Sequence, residues 1–123
     1  MQNGMNEKPV FDKADLMERL DGDMSLAVDL AELFVTDVRE KLRGLGKAIE
    51  EKSGEEIEKE AHSLKGAASN ISAERVRHLA AGIETAGTQN DMASVLVAYK
   101  HLLAAVEELV DVLQREVIGR CAE

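Results

Sequence analysis

The chain has 123 residues, enough for one hydrophobic core and too few for two. Its 24 acidic residues outnumber 15 basic ones, and the formal charge of −9 makes a field that repels nucleic acid and anionic membrane, so neither is expected as a partner. Apolar residues reach 45%, yet Phe11, Phe34 and Tyr99 are the only aromatics, so the core must be built from Leu, Ile, Val, Ala and Met, which suits packed helices and not a β-sandwich.

Pro9 is the only proline, so no ring interrupts a helix from Val10 onward. Residues 1–10 read as a flexible lead-in, residues 11–119 as the folded unit and residues 120–123 as a tail. The opening stretch has neither the basic nor the apolar region of a signal peptide. No apolar run approaches the roughly 20 residues that span a bilayer. Cys121, the single cysteine, leaves no internal disulfide to form. A cytoplasmic protein is the expectation.

A short first helix is predicted from an Asp12 cap to just before Gly22, with Ala14, Leu16, Met17 and Leu20 on its apolar side. A long second helix runs from about Ser25 to Lys52. Leu26, Leu30, Leu33, Phe34, Val38, Leu42, Leu45 and Ile49 recur along it as one stripe, weakened locally by Gly44 and Gly46. Ser53 and Glu56 have the form of a capping box for a third helix reaching Ile71. Its Ile57, Ala61, Leu64, Ala68 and Ile71 follow strict 4-3-4-3 spacing. Ser72 is expected to cap a fourth helix that stops near Gly87, and Asp91 a fifth that ends at Gly119. The stripe of the fifth reads Met92, Val95, Leu96, Tyr99, Leu103, Val106, Val110, Leu113 and Val117. Long helices on short connections run antiparallel, so the predicted fold is all-α: an up-down-up-down four-helix bundle with a short extra N-terminal helix. Polar outer faces predict a monomer.

On a wheel of the third helix, His62 falls roughly 140° from the core direction, and Glu58, Lys65, Gly66 and Ser69 share its outer surface. A neutral imidazole nitrogen can attack a phosphoryl group and hold it as a labile phosphoramidate. Lys65, three residues on, is spaced to offset the negative charge, and Glu58, one turn earlier, to orient the ring. Gly66 costs its helix about 1 kcal/mol against alanine and would let another protein approach the imidazole. Counting back from the Ser53 turn, Arg43, Gly44 and Lys47 come out level with His62.

The run Ala61-His62-Ser63-Leu64-Lys65-Gly66 resembles the A-H-x-L-K-G signature of histidine phosphotransfer (HPt) domains of two-component phosphorelays, and residues 67–76 are similar to that family's continuation. The resemblance extends from about Phe11 to Val117, with Ser72 where a glycine is common and Val76 where a leucine is common. It implies that His62 accepts the phosphoryl group, that Lys65 assists it and that Gly66 gives access, with Ser69 nearby. It implies exchange with an aspartate of a response-regulator receiver domain and supply from a hybrid histidine kinase, any Mg²⁺ belonging to the receiver.

No P-loop, dinucleotide fingerprint or kinase pattern is present, so the chain is expected to be a phosphotransfer intermediate and not an independent enzyme. His78 and His101 fall on polar sides of their helices and lack a following Lys-Gly. The histidines form no i, i+4 pair, so neither a metal nor a cofactor is expected. The alternative is a helical module that binds a receiver or another signalling protein without being phosphorylated.

Overall fold

The computed structural model describes residues 8–119; residues 1–7 of the predicted lead-in and the predicted tail 120–123, with Cys121, lie outside the described residues. Among the described residues there are five α-helices and no strand: α1 (Lys13–Arg19), α2 (Met24–Glu50), α3 (Gly54–Asn70), α4 (Glu74–Thr88) and α5 (Met92–Leu113). The last continues into a π-helical turn, Gln114–Ile118. The fold is all-helical, as the composition and the absence of period-2 alternation require.

One device makes every turn between helices. A residue after each helix takes the left-handed conformation: Asp21, Lys52, Ser72 and Asn90 have φ of 54°, 55°, 57° and 55°. The next residue's N–H then reaches back to a carbonyl of the last turn, from Gly22 to Met17 (2.8 Å), Ser53 to Ala48 (3.1 Å), Ala73 to Ala68 (2.9 Å) and Asp91 to Ala86 (2.9 Å). Ser53, Ala73 and Asp91 are at the same time the N-caps of α3, α4 and α5. Asp12, Ser53 and Asp91 cap with their side chains, as expected, and Asp23 caps α2. Only half of the predicted capping box forms, because the Ser53 N–H is already committed to Ala48.

Ser72 does not cap α4; it is the left-handed residue of the α3–α4 turn. A glycine would sit there without strain, which gives the departure from the HPt pattern at this position a physical meaning. Serine is held in place instead by its buried hydroxyl, which accepts from Arg19 Nη1 (2.6 Å) and donates to Asp15 Oδ2 (2.7 Å). These bonds tie α1 to the far end of α3. The cap residue Ala73 has no side-chain oxygen to offer the first turn of α4. The Pro9 carbonyl supplies the acceptor, taking the Arg75 N–H at 3.0 Å, while Lys8 O receives Arg75 Nε at 2.9 Å and Val10 is buried. Residues 8–10 are therefore anchored and do not belong to a loose lead-in.

The α3 stripe is buried as its spacing demands: Ile57, Ala61, Leu64, Ala68 and Ile71 are all at most 1% exposed. The α2 and α5 stripes are redrawn. In α2 the buried line runs through Ala27, Ala31, Phe34, Val38, Leu45 and Ile49, leaving Leu26 and Leu33 outside at 41% and 65% exposure. In α5 it runs through Val95, Leu102, Val106, Leu109 and Leu113, leaving Leu96 and Leu103 outside. Both helices carry more leucine and valine than one face can bury, so period alone could not choose among neighbouring stripes. The outer face of α5 therefore carries exposed leucine among its charged residues and is not polar throughout.

α3 and α4 approach most closely. A Cβ on Gly54 would lie 2.6 Å from the Gly87 carbonyl, and one on Gly87 would lie 2.9 Å from Ile57 Cγ2 and 3.2 Å from the Glu58 amide nitrogen. These two glycines let backbone meet backbone near the start of α3 and the end of α4.

Ser72 generates a ranked stability prediction. Ser72→Ala keeps the left-handed strain and loses both bonds of the hydroxyl, leaving Asp15 and Arg19 to their mutual ion pair, and should cost about 1–3 kcal/mol in urea unfolding. Ser72→Gly loses the same bonds but relieves the backbone, and should cost less. The opposite order would show that left-handed strain contributes little at this turn, and a Ser72→Ala variant as stable as wild type would show that the hydroxyl contributes little.

Candidate functional site

The site is built where α3 faces α4 on one side and α2 on the other. His62 leaves α3 between the buried Ala61 and the exposed Ser63, and its side chain is 68% exposed. Its Nδ1 lies 2.8 Å from Glu84 Oε2 on α4, and the other oxygen of that carboxylate, Oε1, lies 2.7 Å from Lys65 Nζ. The Glu84 side chain is only 20% exposed, so this bridge sits in the seam between the two helices.

The chemistry follows from the donors. An ionised carboxylate can only accept, so Nδ1 must carry the proton and donate it to Glu84. In the neutral ring that leaves the lone pair on Nε2, which makes no hydrogen bond to any described residue. The Lys65 hydrogen bond, opposed by partial desolvation and joined by the His62 bond, holds the Glu84 carboxyl below its ordinary range. Glu84 is therefore charged at neutral pH and fixes the imidazole in the tautomer with an outward nucleophilic nitrogen.

Beside the imidazole lies a cleft of about 480 Å³ lined by Leu30, Leu33 and Phe34 of α2 and by His62, Gly66 and Ala67 of α3, with Asp37 and Lys41 at its polar edge. Lys41 Nζ donates to Ser63 Oγ at 2.7 Å and lies 3.5 Å from Asp37 Oδ2. The exposed Leu33 is thus a wall of the surface around His62.

The residues singled out from sequence separate here. Lys65 joins His62 through Glu84, although its ammonium keeps two further hydrogens for another acceptor. Gly66 opens on solvent: a Cβ there would meet nothing within 4 Å, so nothing in the packing of the chain requires glycine. Ser69 is exposed, and its carbonyl accepts from Arg19 Nη1 at 3.1 Å. Glu58 is exposed and makes no hydrogen bond to the ring; the carboxylate that holds the ring is Glu84. Arg43 pairs with Glu40 and Gly44 faces Glu60; with Lys41 meeting Ser63, this register brings Arg43 and Gly44 near the level of His62 and leaves Lys47 further along α2. His78 and His101 are partly buried. Among the described residues no group of three or more His, Cys, Asp or Glu could hold a metal ion, and no helix is long and apolar enough to cross a membrane.

Glu84 escaped the sequence reading because it lies on another helix, 22 residues from His62. A signal was present: His62 and Glu84 stand at nearly equal distances on either side of the Ser72–Ala73 turn. The geometry predicts the ¹⁵N spectrum of the His62 ring. At neutral pH the wild type should show a protonated Nδ1 and a bare Nε2, and Glu84→Ala should move the population towards the opposite tautomer. Because the folded Glu84 pKa is depressed, the bridge is complete above the ordinary carboxylate range and is lost as pH falls through the depressed value. A tautomer ratio indifferent to Glu84→Ala would remove its assigned role.

No curated protein and no solved structure significantly matches the chain. The family model of the Hpt domain matches residues 29–116, well over half of the sequence, from within α2 to the π-helical turn, and includes His62, Lys65, Gly66 and Glu84. Hpt domains carry phosphoryl groups between histidine kinases and receiver domains in phosphorelays. This chain belongs to the Hpt domain family.

Proposed function

We propose that this protein is a cytoplasmic phosphohistidine carrier that passes a phosphoryl group between His62 and aspartates of response-regulator receiver domains in a multistep phosphorelay. The observation that carries this reading is the exposed imidazole whose Nδ1 is held by Glu84 while Nε2 faces outward. In the receiving step the Nε2 lone pair attacks the phosphorus of an aspartyl phosphate. An N–P bond forms, the P–O bond to the aspartate breaks, and the bond pair leaves with the regenerated carboxylate. The ring becomes cationic without releasing a proton, and the Glu84 carboxylate on Nδ1 offsets that charge. Lys65 stands by to accept the phosphoryl oxygens with its remaining hydrogens. Delivery reverses each bond, so the same site serves either direction.

The contacts between helices support an antiparallel up-down-up-down bundle as the scaffold. Lys41 meets Ser63 while Gly44 faces Glu60, and Ile57 meets Gly87 while His62 meets Glu84, so rising numbers on one helix pair with falling numbers on the next. The receiver, in this reading, seats its loops over Gly66 and against the cleft of Leu30, Leu33 and Phe34, while a hybrid histidine kinase feeds the relay. The chain itself takes no cofactor, and any Mg²⁺ belongs to the receiver.

Two outcomes test the proposal. A phosphorylated receiver domain should label the chain with acid-labile, base-stable phosphate, and His62→Gln should abolish the label. Receivers that bind the wild type yet never label it would favour the interaction module instead. Gly66→Gln should leave helix content equal or higher while slowing transfer at least about tenfold, since alanine-like and longer residues favour the helix and nothing inside the fold resists the new side chain. Unchanged transfer in that folded variant would show that the gap at Gly66 serves no approach.

A further inference from the structure

The surplus leucine and valine of α5 form a second seam, away from His62. Leu96, Leu103 and Val110 recur every seven residues, one face round from the buried line, and Leu96 and Leu103 are 55% and 42% exposed. Leu103 and Val110 also wall a cleft with Leu42 and Arg39 of α2. An apolar strip of this kind on a small, highly charged protein marks a surface that another protein covers.

The charges on the strip select the occupant. Lys100 lies on the amino side of Leu103 and Glu107 on the carboxyl side, both exposed and neither paired with another described residue. A strip that is basic before its midpoint and acidic after it is complementary to itself only when two copies run antiparallel. A two-fold axis through Leu103 then brings Leu103 against its own copy, Leu96 against Val110 of the second chain, and Lys100 beside Glu107 of the second chain. A receiver or a kinase would have no reason to match both the sevenfold spacing and the reversed charges.

We propose that this protein self-associates through the outer face of α5, as an antiparallel dimer centred on Leu103, with α2 residues Leu42 and Arg39 at the rim. The seam lies on the α2–α5 side of the bundle, whereas His62 stands on α3 towards α2 and α4, so both histidines stay open to their partners. The proposal does not depend on phosphotransfer.

Sedimentation of the full-length chain tests it. Wild type should rise from the mass of one chain towards that of two as concentration increases through the micromolar range. Leu103→Glu, at a position already partly exposed, should fold normally by circular dichroism, keep its labelling by a phosphorylated receiver, and weaken association at least about tenfold. Lys100→Glu and Glu107→Lys should each weaken it, and the two combined in one chain should restore it, because the exchanged charges meet again across the axis. A wild type that stays at the mass of one chain up to millimolar concentration would overturn the dimer. So would a Leu103→Glu variant that associates as well as wild type, or a double exchange that fails to restore association.

Discussion

The site depends on how closely α3 and α4 can lie. Two glycines face each other there, Gly54 at the start of one helix and Gly87 near the end of the other, and a methyl group on either would drive into backbone or into Ile57. That contact fixes the register of the pair. One turn back along α4 it puts the Glu84 carboxylate within 2.8 Å of the His62 ring and 2.7 Å of the Lys65 ammonium. The buried residues of α3 contribute the other half of the constraint, since Ile57, Ala61 and Leu64 fix the rotation of the helix and hence the direction in which His62 leaves it. A nucleophile is thus exposed without being left free to turn.

A carboxylate in this position does two things that an exposed histidine cannot do by itself. It removes the tautomeric ambiguity, because an acceptor on Nδ1 leaves the lone pair on Nε2. It also provides a fixed negative charge beside a ring that phosphorylation would make cationic. Lys65 keeps that charge in place by holding the Glu84 carboxyl below its usual range, so the pairing survives across the neutral region. The lysine therefore acts on the histidine partly through the glutamate, and only its remaining hydrogens are available to phosphoryl oxygens.

Much of this was legible in the residues alone. The α3 stripe has no competitor, so its rotation, and with it the outward direction of His62, could be read directly. The caps at Asp12, Ser53 and Asp91 were legible because each side chain bonds only three residues ahead. Interactions that join separate helices were not. Glu58 has the spacing to reach His62 along one helix, but the ring turns towards α4, where Glu84 waits 22 residues away. Ser72 carried both a capping hydroxyl and an unfavourable left-handed backbone, and only the bonds to Asp15 and Arg19 decide which role it fills.

The excess of apolar residues in α2 and α5 was the least legible feature, because a helix with two adjacent apolar stripes offers two rotations of similar hydrophobic gain. Small residues, Ala27 and Ala31 in α2 and Ala105 in α5, take positions on or beside the buried line, and the larger Leu26, Leu33, Leu96 and Leu103 are displaced outward. The displaced groups are not scattered. On α2 Leu33 walls the cleft beside His62, and on α5 they repeat with a period of seven, between charges of opposite sign. The surplus thus puts hydrophobic area on two separate surfaces, where it stabilises nothing until something covers it. A carrier that must dock and release partners needs one such surface near its histidine, and the second, on the far side of α2, is what sets this chain apart from a bundle with a wholly polar exterior.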